Sequence, residues 1–92
     1  MLGRMKRRDV WRKVLEAEVR RWSALSAEEL LAQLRELQVY EVELDGKPYQ
    51  VEVELLPETP DHVRVMVAVD DGSLPASLRP ETEIFVRAKG SK

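Results

Sequence analysis

At Val39 the spacing of apolar residues changes from a helical repeat to a strict alternation, and that change divides the chain in two. Before it, Trp11, Val14, Leu15, Val19 and Trp22 share one broad face of a helix predicted to run from Asp9 to about Trp22. Asp9 is placed to cap it, because its carboxylate can accept from the free amides of the first turn. A second start signal follows in Ser26-Ala27-Glu28-Glu29. This is a capping box: the serine hydroxyl accepts from the third amide while Glu29 reaches back. Leu25 and Leu30 form the matching hydrophobic staple. This helix is predicted to continue to about Gln38, with Leu30, Leu31, Leu34 and Leu37 along one side.

Beyond Val39, Tyr40, Val42 and Leu44 alternate with Glu41 and Glu43. Asp45-Gly46 then supplies the residues that a type I′ hairpin turn needs at its two positive-φ positions. Tyr49, Val51, Val53 and Leu55 alternate with Gln50, Glu52 and Glu54. A turn at Asp45-Gly46 pairs Leu44 with Lys47, Val42 with Tyr49 and Tyr40 with Val51, so apolar residues meet on one face and carboxylates gather on the other. Pro48 falls opposite Glu43 at a non-hydrogen-bonded pair, where its missing amide costs the hairpin nothing. Leu56–Asp61, with two prolines, is a loop, and His62–Val69 a third strand with its valines on one face. The stretch from there to Thr82, which carries Pro75 and Pro80, is an ordered but irregular connection, and Glu83–Arg87 a short last strand. Helices precede strands without mixing. The expected class is α+β, with two N-terminal helices packed on one face of a three- to four-stranded, mostly antiparallel sheet in the order α-α-β-β-β-β.

Ninety-two residues make one domain, expected over 1–92 with 1–8 a basic flexible arm and 89–92 a loose tail. Hydrophobic residues at 43% place the chain well away from the composition of a disordered one. There is no cysteine, which removes disulfides, thiol nucleophiles and thiolate metal sites. The same absence, with no apolar stretch behind the basic start and none long enough to span a bilayer, points to the cytoplasm and away from a membrane. Charge is unevenly placed. Met1 to Trp22 carries eight basic residues against three acidic, and the remainder seven against fourteen.

Four features can carry function. Arg4, Lys6, Arg7 and Arg8 form a candidate anion-binding arm able to neutralise phosphates. No aromatic side chain is interleaved among them as a stacking platform, so the plainer role is solubility or pairing with the acidic sheet. Glu41, Glu43, Glu52 and Glu54 project together from the first hairpin, but without the spacing or glycine turn of a calcium loop, and no metal or other cofactor is expected. Glu18 falls inside the apolar stripe of the first helix. A desolvated carboxylate there suits a general acid, whereas Arg21 one turn on suits a structural ion pair. Asp70, Asp71, Gly72 and Ser73 end the third strand and form a candidate functional loop, although these residue types also make turns for local reasons. His62 is the only histidine, and no strained nucleophile motif surrounds Ser73 or Ser77.

The Val67–Ser73 stretch VAVDDGS, followed by the proline-containing connection and the IFVR strand, resembles a pattern in small bacterial single-domain proteins with a tryptophan-rich first helix. The resemblance implies a stand-alone bacterial domain and assigns no activity or catalytic residue. With no catalytic constellation, the chain is expected to be a small non-enzymatic protein-interaction module, binding another protein or itself. The alternatives are a nucleic-acid accessory protein using the basic arm, and a small-ligand protein or enzyme using the Asp70–Ser73 loop.

Overall fold

The first helix, α1 (Arg7–Ser23), begins ahead of Asp9. Asp9 therefore lies in the first turn instead of capping it, where a carboxylate meets the positive end of the helix dipole. The computed structural model describes residues 7–72 and 80–90, and of Arg7 and Arg8 the backbone alone. The second helix, α2 (Ala27–Gln33), starts at the predicted box: Glu29 N–H donates to Ser26 Oγ at 3.1 Å, and Ser26 N–H to Glu29 Oε1 at 2.9 Å. It ends earlier than the apolar spacing predicts. Leu34 leaves helical geometry at φ −106°, ψ 31°, and Gln38 Nε2 donates to the Gln33 carbonyl at 3.3 Å. Leu30 and Leu34 already bury the apolar side of this short helix, so Leu37 is left 49% exposed as the chain turns into the sheet.

Four strands follow: β1 (Gln38–Leu44), β2 (Lys47–Leu55), β3 (His62–Asp70) and β4 (Glu81–Ala88). They form one antiparallel sheet in the order β1-β2-β3-β4. The hairpin register is the predicted one, with Leu44 opposite Lys47, Val42 opposite Tyr49 and Glu43 opposite Pro48. Asp45 and Gly46 take φ of 54° and 76°, the positive values a type I′ turn requires. The last strand is longer than Glu83–Arg87. An unbroken ladder from His62–Ala88 to Val69–Glu81 holds it along nearly the whole of β3. Pairing with a long partner, more than the composition of β4, sets its length.

Both helices cover one face. Val51, Val53, Val63, Val65, Val67 and Val69 are fully buried there against Trp11, Leu15 and Leu30. Each such side chain contributes roughly 1.5–3 kcal/mol through apolar burial. One cross-strand row, Tyr40–Val51–Val69–Glu81, shows how α1 is held. Arg12 pairs with Glu81 at the β4 end of the row at 2.8 Å, and Glu18 accepts from Tyr40 at the β1 end at 2.5 Å. The helix thus reaches both edges of the sheet. The tail is tied as far as Gly90. Lys89 N–H donates to the Asp61 carbonyl at 2.8 Å, its ammonium pairs with Glu58, and Gly90 N–H donates to Glu28 Oε2 at 3.2 Å. The backbone amide of Glu28 itself, and after it the Gly90 bond, hold the Glu28 carboxyl below its usual range.

Candidate functional site

The outer face of the sheet is chemically divided. On the β1–β2 side it carries Glu41, Glu43, Glu52 and Glu54. On the β3–β4 side the register sets Met66 beside Ile84, Arg64 beside Val86 and Ala68 beside Thr82. Ile84 and Val86 are each 52% exposed, and Met66 is half-buried between Glu54 and Ile84. An apolar strip therefore runs along the outer face of an edge strand.

That strand also offers its backbone. The Lys89 N–H bond to Asp61 continues the register of His62–Ala88 and marks a bonded pair. Bonded and non-bonded pairs alternate in an antiparallel ladder. Val63–Arg87, Val65–Phe85, Val67–Glu83 and Val69–Glu81 are thus the bonded pairs of β3 and β4. The amides and carbonyls of Thr82, Ile84, Val86 and Ala88 point away from β3. No described strand pairs with them, since β4 closes the strand order. The Leu56 N–H bond to the Arg64 carbonyl at 2.9 Å fixes the opposite phase on the other side of β3. Carried through β2, it leaves the amides of Val39, Glu41 and Glu43 pointing out from β1. It also turns the nitrogen of Pro48 away from β1, beyond the end of the β2–β3 ladder at Gln50–Asp70.

The sequence-predicted residues are dispersed. Glu18 is buried at 8% exposure and belongs to a chain of polar contacts joining α1 to β1. Trp22 Nε1 donates to Tyr40 Oη at 2.7 Å, Tyr40 Oη donates to Glu18 Oε1, and Arg21 donates to the same oxygen at 3.1 Å. Arg21 also lies over the Tyr40 ring, 5.6 Å from its centre. Burial, reinforced by the Glu18 carboxylate, pushes the Tyr40 hydroxyl up to about 12. Each member of the chain has a partner within it, which suits a structural tie between helix and strand.

Asp70 accepts the Gly72 N–H at 2.7 Å, and Gly72 takes φ of 80°, so this end of β3 is built as a turn. Asp71 is half-buried, and Ser73 lies outside the described residues, as do Arg4 and Lys6 of the basic arm. Arg7 and Arg8 fall in the first turn of α1. A cleft of about 190 Å³ between α1 and the end of β1 is lined by Lys13, Val14, Glu18, Val42 and Leu44 among others, and by none of Asp70, Asp71 or Gly72. It is smaller than the roughly 300–1,000 Å³ typical of ligand pockets. Among the described residues, no three acidic or histidine side chains converge as metal ligands, and no helix is long and apolar enough to cross a membrane.

The outward phase of Ile84 and Val86 is the feature that the residue pattern conceals. In Glu83-Ile84-Phe85-Val86-Arg87 the flanking charges share the phase of Phe85 and suggest that Phe85 faces solvent. The Val65–Phe85 pairing sets the opposite: Phe85 packs on the core, while Glu83 and Arg87 lie on its helix-facing side at the rim. Arg87 there donates through Nε to the Leu25 carbonyl at 3.1 Å. Compared with known proteins, the chain matches no family model, no curated protein and no solved structure.

Proposed function

We propose that this chain is a small non-enzymatic protein-interaction module whose binding element is the β4 edge together with the apolar strip of Met66, Ile84 and Val86. One observation carries the proposal: half-exposed Ile84 and Val86 stand on an edge strand whose outward amides and carbonyls have no strand beside them among the described residues. Extended segments bind such edges by adding a strand, with backbone hydrogen bonds for affinity and alternate side chains for selectivity. Natural proteins commonly guard an idle edge with charge, proline or a bulge. The β4 ladder has no bulge, and its outward-facing row of Thr82, Ile84, Val86 and Ala88 carries neither charge nor proline. The cysteine-free composition fits a cytoplasmic setting.

The test is affinity capture with the tagged protein beside its Ile84→Lys/Val86→Lys double variant. Both substitutions fall on half-exposed positions, so the fold is expected to survive, as circular dichroism would check. Proteins retained by the wild type and lost from the variant support the proposal. Identical captures from both would mean that binding, if any, lies elsewhere.

A further inference from the structure

The sequence of β4 is complementary to itself. Set antiparallel to a second copy with Phe85 on the two-fold axis, Ile84 falls opposite Val86 and Thr82 opposite Ala88. In the same register Glu83 falls opposite Arg87, and Glu81 opposite Lys89. Every acidic residue of the strand meets a basic one, and the apolar residues meet each other. Opposite charges and β-branched pairs directly across an antiparallel ladder are stabilising, and like charges there are destabilising.

The hydrogen-bond phase agrees. Ile84 with Val86 and Thr82 with Ala88 are the residues whose amides and carbonyls point out from β4, so these fall at bonded pairs. Phe85 with Phe85, and Glu83 with Arg87, fall at the non-bonded pairs, where side chains approach most closely. Shifting the axis to Ile84 sets Glu83 against Phe85. Shifting it to Glu83 sets carboxylate against carboxylate.

We infer that the β4 edge binds a second copy of this chain, joining two sheets into one continuous eight-stranded sheet with Glu83–Arg87 contacts on both sides of a central Phe85 pair. This rests on the interaction proposal above and names its partner. The axis stands perpendicular to the sheet, so the helices of both copies lie on the same face. The contact is isologous and closes at two copies, because each molecule has one such edge and pairing uses it. On the outer face the strip continues across the axis, from Met66 and Ile84 of one copy to Val86 of the other. Within each copy Glu81 keeps Arg12, Arg87 keeps its bond to Leu25 and Lys89 keeps Glu58, so the facing charges add to contacts already made.

The test exploits the symmetry. In Glu83→Arg the new guanidinium would face Arg87 of the second copy, and in Arg87→Glu the new carboxylate would face Glu83. Each single variant is expected to dimerise at least about tenfold more weakly than the wild type in sedimentation equilibrium at low salt. An equimolar mixture of the two sets opposite charges against each other at both positions. It is expected to recover dimer at close to wild-type affinity, as a heterodimer visible by native mass spectrometry. Circular dichroism of each variant confirms folding; should Arg87→Glu fail to fold, Ile84→Lys/Val86→Lys replaces it and is expected to be monomeric. A wild-type protein that stays monomeric across the concentration series overturns self-pairing, as does a mixture with no more dimer than its components. If Ile84→Lys/Val86→Lys nevertheless loses proteins that the wild type captures, the interaction proposal stands with a different partner. If it loses none, both fail.

Discussion

The two edges of the sheet differ in what they present to a neighbour. β1 alternates Val39, Glu41 and Glu43 along its outward-bonding residues, whereas β4 has Thr82, Ile84, Val86 and Ala88. Centred on Glu41 or on Val42, antiparallel pairing of β1 with itself sets carboxylate against carboxylate. Centred on Phe85, the same operation on β4 sets acid against base throughout. The helix layer repeats the contrast: β1 is tied to α1 through the buried Glu18–Tyr40–Trp22 contacts, and β4 through the rim pairs of Arg12 with Glu81 and Arg87 with Leu25. The difference locates the guard in the charges on an edge's outward-bonding residues: β1 carries two there, Glu41 and Glu43, and β4 none, because its Glu81, Glu83 and Arg87 lie on the other phase.

The contrast can be broken most strongly at β4. Ile84→Lys/Val86→Lys places ammonium groups opposite one another across the axis, and dimer formation should fall by about 100-fold or more, with the thermal melting of the monomer nearly unchanged. In that blocked background, Glu41→Val/Glu43→Val removes the guard from β1. Concentration-dependent association should then appear at the opposite edge, read by light scattering, whereas the Lys pair alone stays monomeric.

The tie of β1 to the helix gives a smaller effect of a different kind. Tyr40→Phe leaves Trp22 Nε1 without its acceptor and Glu18 without its hydroxyl donor, and should cost about 1–3 kcal/mol in urea unfolding with association unchanged. The smallest effect is in pH. Tyr40 titrates at about 12 in the folded protein against 10.0 ordinarily. The unfolded chain therefore releases this proton first, so the stabilisation is fully present below pH 10 and is lost as pH rises through 12. Tyr40→Phe should flatten that part of the stability profile and remove the absorbance component titrating near 12.

Much of the fold was legible because local signals agreed with one another. The Ser26–Glu29 box, the Asp45-Gly46 turn and the alternation on either side of it fixed α2's start and the whole β1–β2 register. What escaped depended on long-range pairing. The end of α2 is set by Leu34 turning towards β1, and the length of β4 by its ladder with β3. The candidate site was hidden for the same reason. Three apolar residues in a row at Ile84, Phe85 and Val86 do not declare which of them faces inward, and the charges beside Phe85 argue for the wrong phase. Glu18 could be placed among apolar neighbours from spacing alone, but Tyr40, which holds it, comes from a strand twenty-two positions later.

The most direct measurement is residue-resolved amide hydrogen exchange of the wild-type protein at several concentrations, following both edges in the same sample. The amides of Ile84 and Val86 should become progressively protected as concentration rises, while those of Val39, Glu41 and Glu43 exchange quickly throughout. Equal and concentration-independent exchange at the two edges would contradict the claim that β4 is the edge that binds.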